Sequence, residues 1–151
     1  MNVQDEIKAL KERIAELEEQ EKQEREFPQY GNTYWCINSY GVVSKEIWDG
    51  CDIEKDMFEI GNMFRTKEQA DFAVEKLKVE AELRKFSRPF KVGKSNTEFY
   101  YWHESRRIMF NHFKTCQMQG SIYFESEEKA KQVIQSVGEE RIKKYLFGVE
   151  D

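Results

Sequence analysis

Apolar residues near the start of the chain recur at alternating spacings of four and three positions. The series consists of Val3, Ile7, Leu10, Ile14 and Leu17. It lies within residues 3–26, which contain neither Gly nor Pro. This spacing predicts a helix with one narrow apolar seam, in which isoleucine occupies heptad position a and leucine position d. The helix is expected to end before Pro28, because the residue that precedes a proline is driven out of helical geometry.

The charged positions that flank this seam favour a parallel dimer. Glu6 and Arg13 fall at position g, and Lys11 and Glu18 fall at position e. In a parallel pair each g residue then faces an opposite charge at e of the neighbour, and isoleucine at a with leucine at d also favours two strands. Packing of the seam on the chain's own globular part is the alternative, since short helices gain most of their stability from tertiary contacts.

After Pro28 the pattern changes to short aromatic strands bounded by turn residues. We predict a hairpin from residues 34–38 and 42–48, a loop at 49–52 and a third extended segment at 57–64. A helix is then expected from Thr66 to about residue 85, because Thr66 and Gln69 have the spacing of a capping box. Its predicted apolar face consists of Ala70, Ala73, Val74, Leu77, Ala81 and Leu83.

The second half of the chain repeats this plan. It has an aromatic strand at 99–103, a returning strand at 108–113, a third strand at 120–124, a helix capped by Ser126 and stopped by Gly138, and a last helix at 139–146. A shift of sixty residues places Phe64 on Phe124 and Thr66 on Ser126. The pattern therefore predicts an internal duplication.

Together these elements predict an α+β fold. It comprises an N-terminal coiled-coil-like helix, two β-β-β-α units related by the weak internal duplication, antiparallel sheet, and a short C-terminal helix. The predicted domains are an oligomerisation helix at 1–27 and an α+β domain at 30–151, with halves at 30–88 and 95–151.

Composition narrows the class of protein. Of 151 residues, 35% are charged and 14% are aromatic, and no apolar run approaches the roughly 18 residues that span a membrane. The acidic N-terminus does not have the basic-then-apolar layout of a secretion signal, so we expect a cytoplasmic protein. Cys36, Cys51 and Cys116 are odd in number and form no CxxC pair, which argues against a disulfide framework and a closed zinc site.

Several blocks of the sequence resemble one kind of small protein. They are Tyr34-Trp35-x-Ile37-Asn38-Ser39-x-Gly41, Gly61-Asn62-x-Phe64-x-Thr66-x-Glu68-x-Ala70 and Gly138-Glu139-Glu140-Arg141 with Lys144-Tyr145-Leu146. From Tyr34 onward the chain is similar to small uncharacterised proteins carried by phages and prophages of low-GC Gram-positive bacteria. The resemblance implies a phage accessory gene that acts in the cytoplasm of an infected host, where many small phage proteins bind and block a host target. It carries no catalytic or ligand residues over to this chain.

No catalytic signature stands in the sequence. His103 and His112 are the only histidines, and with Cys116 they would supply three soft ligands if the second hairpin brought them together. The spacing matches no known metal motif, so surface or half-buried polar roles are the stronger interpretation. We predict no enzyme, no catalytic residue, no cofactor and no bound metal.

Charge is unevenly distributed along the chain. Between residues 84 and 114 there are eight Lys or Arg and two acidic residues, interleaved with aromatic side chains. Cations beside stacking faces suit a ligand with phosphates and bases. The candidate ligand-binding residues are Arg106, Arg107, Lys114, Trp102 and Tyr101. A solvated face that answers the acidic segment is the simpler interpretation, and an acidic protein partner matches the patch as well as a nucleic acid does.

Residues 46–83 are acidic, with eleven carboxylates against five cations. The region around 48–57 is either a solvated loop or a surface that imitates phosphate spacing, anchored by the large side chains at its ends. The candidate partner-binding residues are Trp48, Asp49, Asp52, Glu54, Asp56 and Met57.

These observations lead to two functional expectations. The first is a non-enzymatic phage-encoded interaction protein, a homo-oligomer with a dimer as the first expectation, which inhibits a host antiviral defence component of the anti-CRISPR or anti-defence type by steric occlusion. Its partner would be a host protein, such as a nucleic-acid-binding defence effector. The alternative is a nucleotide or nucleic-acid binding module, a signal sponge, which uses the basic aromatic segment at 84–114.

Overall fold

The computed structural model describes residues 2–150, with the side chains of all but 23–25. It confirms the α+β class. The elements, in order, are α1 (Val3–Arg25), β1 (Thr33–Ile37), β2 (Val43–Ile47), α2 (Asp52–Glu59), α3 (Lys67–Phe86), β3 (Asn96–Trp102), β4 (Arg107–Phe113), α4 (Glu127–Val137) and α5 (Glu139–Phe147). The strands form two antiparallel two-stranded sheets.

The chain divides into two compact units between Ala70 and Asp71. This division lies inside α3, whereas the predicted halves at 30–88 and 95–151 were separated after that helix. None of the helices within residues 2–150 combines the length and the apolar content needed to cross a membrane.

Helix α1 is the N-terminal helix that the sequence predicts. Asn2 caps it, since its side chain accepts the Asp5 N–H at 2.9 Å while the Asp5 carboxylate accepts the Asn2 N–H at 3.3 Å. Every described side chain from residue 2 to residue 22 is exposed. Within the part of the chain that the structure describes, no residue covers the apolar seam, and packing of α1 on the globular part is not observed there.

The first unit continues with the β1–β2 hairpin and a small core. Tyr34, Cys36 and Met63 are buried, and Phe27, Trp48 and Met57 pack against them. Phe64 pairs with Trp35 of β1 through two backbone hydrogen bonds of 2.8 and 2.9 Å.

The predicted extended segment at 57–64 is wrong, because residues 52–59 form helix α2 and only Phe64 pairs with β1. A side chain takes the place of the missing strand. The Asn62 amide accepts the Ile37 N–H at 2.8 Å and donates to the Ile37 C=O at 2.7 Å. One amide thus completes the end of β1.

Helix α3 begins as predicted. The Thr66 hydroxyl accepts the Gln69 N–H at 3.2 Å, and the Gln69 side chain accepts the Thr66 N–H at 3.4 Å. Its buried face differs from the prediction, because Val79 and Leu83 are fully buried whereas Leu77 is 55% exposed. Two residues along a helix turn a side chain by about 200°, so a face that contains 79 and 83 excludes 77.

The second unit has the larger core. This core consists of buried residues from α3, α4 and α5 together with the bridged residue Phe124. They are Val79, Leu83, Phe124, Ala130, Val133, Ile134, Val137 and Ile142. Ser126 caps α4 by accepting the Lys129 N–H at 3.1 Å, and Gly138 ends it with φ of 108°, as predicted.

The predicted third strand at 120–124 is reduced to isolated bridges, Arg88 with Tyr123 and Thr97 with Phe124. The β-β-β-α description is therefore replaced by a hairpin, bridged residues and a capped helix in each half. Phe64 and Phe124, which the sixty-residue shift equates, both pair with the first strand of the preceding hairpin and stand two positions before the helix cap.

Asn96, which is fully buried, holds the connection between α3 and β3 in place through hydrogen bonds. Its amide accepts the Lys91 N–H at 2.9 Å and donates to the Lys91 C=O at 2.9 Å and to the Phe113 C=O at 3.0 Å. The Gly93 N–H donates to the Lys114 C=O at 2.8 Å. Residues 91–94 therefore lie beside the end of β4.

Candidate functional site

The predicted acidic surface is organised around Glu54, which is only 7% exposed. Its carboxylate accepts the Tyr34 hydroxyl at 2.9 Å, the Asp49 and Gly50 N–H groups at 2.9 Å each, and the Cys51 N–H at 3.4 Å. Burial and this carboxylate raise the pKa of Tyr34. Glu54 is thus occupied with shaping the loop before α2.

Two further members of the predicted set belong to the interior of the first unit. Trp48 packs edge-on against Tyr34, with ring centroids 6.4 Å apart, and Met57 packs on the same core. Asp52 and Asp56 remain exposed on α2. The structure therefore leaves carboxylates at this surface but removes the predicted anchors from it.

Other apolar side chains are exposed at α2. Ile53, Phe58 and Ile60 are 72%, 47% and 78% exposed. Because Glu54 and Met57 turn inward, Ile53 and Ile60, seven residues apart, lie on the outward side together with carboxylates. We call Asp52, Ile53, Asp56 and Ile60 the α2 face. The isoleucines are absent from the predicted partner-binding set because an extended segment does not bring them together, although their seven-residue spacing is a helical signal.

Asp49, Cys51 and Glu54 place their ligand atoms within 4.8 Å of one another. Both carboxylates of this cluster already accept hydrogen bonds from the backbone. The N–H groups of residues 49, 50 and 51 all donate to Glu54, and the Cys51 N–H also donates to Asp49 at 2.8 Å. A cation would have to displace these donors.

Two pKa shifts accompany this loop. The Cys51 backbone N–H lowers the pKa of Asp49 by donating to its carboxylate. The Glu54 backbone N–H points at the Cys51 sulfur and favours the thiolate, but desolvation and the neighbouring carboxylates, Asp49 first, outweigh it and raise the pKa of that thiol. The thiol is therefore protonated near neutral pH, which is unfavourable for a nucleophile.

The structure does not bring the two histidines and Cys116 together as a metal cluster within residues 2–150. His112 is paired with Thr97 on β3, and its ring nitrogens contact the Thr97 hydroxyl at 2.9 Å and the Glu127 carboxylate at 3.1 Å. His103 follows β3 at the other end of the hairpin and packs edge-on against Tyr101 at 4.8 Å. The hydrogen bond from Lys131, together with that from His112, lowers the pKa of Glu127.

The predicted basic ligand set is split by the β3–β4 hairpin. Trp102 pairs with Arg107 at the turn, beside Arg106, whose φ is 55°. Lys114 follows the opposite end of β4, about 23 Å away along a strand of seven residues. Tyr101 stacks on the Phe147 ring at 5.9 Å and so faces the core of the second unit.

The opposite side of this hairpin carries the aromatic side chains that are open to a ligand. Side chains alternate along a strand, and Phe99, Ile108 and Phe110 pack on the core. The other parity therefore forms the outer hairpin face, defined by Glu98, Tyr100, Trp102, Arg107, Met109, Asn111 and Phe113. Tyr100, rather than the predicted Tyr101, accompanies Trp102, and the period-two alternation of a strand is the sequence signal that separates the two.

Removal of the Glu54 carboxylate is expected to destabilise the first unit. Glu54→Ala leaves the Tyr34 hydroxyl and three backbone N–H groups without their acceptor, which lowers the free energy of unfolding by about 3 kcal/mol. Urea unfolding followed by tryptophan fluorescence in a Trp102→Phe background measures this, because the two remaining tryptophans lie before residue 70. Asp52→Ala, whose side chain is 99% exposed, should change stability by less than about 0.5 kcal/mol. Equal losses in both variants would contradict the assignment.

Asp49 is expected to contribute stability that disappears in acid. Its folded-state pKa is lowered, so the contribution is present above the ordinary pKa of an aspartate and is lost as the pH falls through that value towards the folded-state pKa. Asp49→Asn should therefore be less stable than the parent at pH 7 and approach it below about pH 4. Chemical unfolding at several pH values tests this. Asp56→Asn is the matched control, and a difference for Asp49→Asn that persists at low pH would contradict the prediction.

No family model matches the chain, and comparisons with curated proteins and with solved structures find no similar protein. The surfaces of the two units are therefore the basis on which a function is proposed.

Proposed function

We propose that this chain is a non-enzymatic interaction protein that dimerises through α1 and inhibits a host antiviral defence component by covering part of its surface. The observation that supports the proposal is the exposure of the whole α1 seam. Val3, Leu10 and Ile14 are 70%, 63% and 54% exposed, and Ile7 and Leu17 are each 47% exposed.

A second copy of the same helix fits this seam. Its apolar residues repeat with the heptad period, and helix α1, with 23 residues, is about 34 Å long. The nearest in-chain ion pair is Arg13 with Glu16 at 2.9 Å, and both side chains are more than 60% exposed. Such a pair contributes little, so it does not prevent Arg13 from facing Glu18 of a parallel neighbour.

The α2 face is the surface that we assign to the target. It combines two exposed isoleucines with carboxylates, and apolar anchors within a charged rim are typical of protein interfaces. Negative charge favours a positively charged target surface, such as the nucleic-acid groove of a defence effector. The resemblance to phage proteins supplies the host context of this proposal.

Charged residues in the seam are expected to abolish the dimer. Ile7→Lys with Ile14→Lys should give a monomer by sedimentation equilibrium at concentrations where the parent is dimeric, since desolvating two lysines at a positions is costly. Ala9→Lys with Ala15→Lys adds the same charge at positions b and c and should leave the dimer intact. A parent that is monomeric at every concentration tested would contradict dimerisation.

The parallel orientation is tested within the same experiment. Glu6→Lys places like charges opposite each other at g and e and should weaken the dimer about threefold to tenfold. Addition of Lys11→Glu restores opposite charges in a parallel pair and should recover the affinity. An antiparallel pair brings g against g and e against e, so it would show no such recovery.

Inhibition is tested by phage plating on a host whose CRISPR–Cas system targets the phage. Expression of the parent chain should raise plating efficiency, and Ile53→Ser with Ile60→Ser should reduce that gain at least about tenfold through loss of interface anchors. Val92→Ser removes a side chain of equal exposure, 78%, and should retain the activity. No gain in plating from the parent chain would overturn the proposal for this class of defence, whatever the oligomeric state.

A further inference from the structure

The outer hairpin face is a two-stranded surface whose side chains are mostly aromatic or apolar. Trp102, paired with Arg107, is 46% exposed, and Tyr100, paired with Met109, is partly exposed. Phe113 continues the face at the base of the hairpin. Flat side chains in a row along a strand provide stacking surfaces about two residues, or 7 Å, apart.

The single acidic side chain within this face is already engaged. Glu98 accepts hydrogen bonds from the Asn111 amide at 3.3 Å and from the Ser121 hydroxyl. Its charge is therefore held by two donors at the middle of the face. At the turn Arg106 and Arg107 outnumber Glu104, and lysines lie at the base.

Cations lie at both ends of the hairpin. At the turn these are Arg106 and Arg107, and at the base Lys114, with Lys91 and Lys94 held beside it by the Asn96 loop. Among the described residues none of these five side chains forms an ion pair. Positive charge is therefore available at both ends of the stacking surface.

We propose that the outer hairpin face binds a short stretch of single-stranded nucleic acid. Bases stack on Trp102 and Tyr100, Arg106 and Arg107 hold the phosphates at the turn, and the lysines hold the backbone where it leaves the face at the base. Aromatic stacking combined with backbone cations is the mode by which proteins bind single strands with little sequence preference. This activity goes beyond the proposed inhibition and does not depend on it.

The charge balance of the two units is compatible with this ligand. The part of the chain from residue 71 onward has fifteen Lys or Arg against thirteen Asp or Glu, whereas residues 1–70 have nine against sixteen. The net charge of -5 therefore arises in the first unit. A duplex hides the faces of its bases within the stack, so an aromatic surface selects an unpaired strand.

The binding experiment uses the full chain and fluorescein-labelled oligonucleotides of about ten nucleotides, within the site sizes of about 4–16 nucleotides found in stacking proteins. Oligothymidylate, oligouridylate and a duplex of the same length are compared by fluorescence anisotropy at low salt. Binding of one or both single strands at least about tenfold tighter than the duplex is expected, and the two single-stranded probes separate DNA from RNA. Equal binding of the duplex, or no binding of any probe, would overturn the proposal.

Variants then locate the site. Trp102→Ala and Tyr100→Ala should each weaken binding about tenfold or more through loss of a stacked base, while Trp102→Phe should retain most of the affinity. The matched control is Tyr40→Ala, because Tyr40 is 89% exposed in the first unit. If Trp102→Ala and Tyr40→Ala behave alike, the assignment of the face is wrong.

The salt dependence tests the cations separately. Each phosphate contact contributes about 0.7 to the slope of log affinity against log salt for a single strand. Arg106→Ala with Arg107→Ala should lower both the affinity and this slope, while Lys76→Ala, an exposed lysine on α3, should change neither. An unchanged slope in the arginine variant would exclude these residues from the site. Circular dichroism of every variant confirms that the loss of binding is not a loss of fold.

Discussion

Within residues 2–150 each sheet has two strands, so backbone groups along the outer edges need partners from elsewhere. Single bridged residues and side-chain amides supply them. Phe64 and Phe124 each give two backbone hydrogen bonds to a hairpin, the Asn62 amide satisfies both backbone groups of Ile37, and the Asn96 amide joins the loop after α3 to β4. An isolated two-stranded hairpin is only marginally stable. Here side chains replace a third strand, and a small core packs against each hairpin.

The same constraint explains which elements the sequence predicts. Helix α1 and the starts of α3 and α4 follow from local signals, the apolar period and the Thr66 and Ser126 caps, and these were correct. The segment at 57–64 is predicted as extended from its apolar residues, with Gly61 and Asn62 inside it. The Glu54 carboxylate organises the loop before its helix. The Asn62 amide bonds Ile37, 25 residues earlier, and no local pattern reveals such a long-range hydrogen bond.

The candidate surfaces were predictable to different degrees. The heptad period locates the apolar seam of α1, whereas Trp48 and Met57, expected at an interface, are packed on a core that only the folded hairpin creates. On the second hairpin the basic and aromatic composition was visible, but its division into two faces depends on register. Tyr101 and Tyr100 are neighbours in sequence, and strand alternation places one on Phe147 and the other on the outer face.

The short seam of α1 gives the proposed dimer a specific physical character. Five apolar residues per helix form a weak interface, since about two and a half heptads are marginal for an isolated coiled coil, so the dimer should form and dissociate with protein concentration. A dimer carries two copies of the α2 face and of the outer hairpin face. A target or strand that reaches both copies turns its second contact into an intramolecular step. By linkage, the free energy by which binding stabilises the dimer equals the free energy by which dimerisation strengthens binding. Because the seam is weak, assembly of the dimer would then depend on the presence of the ligand.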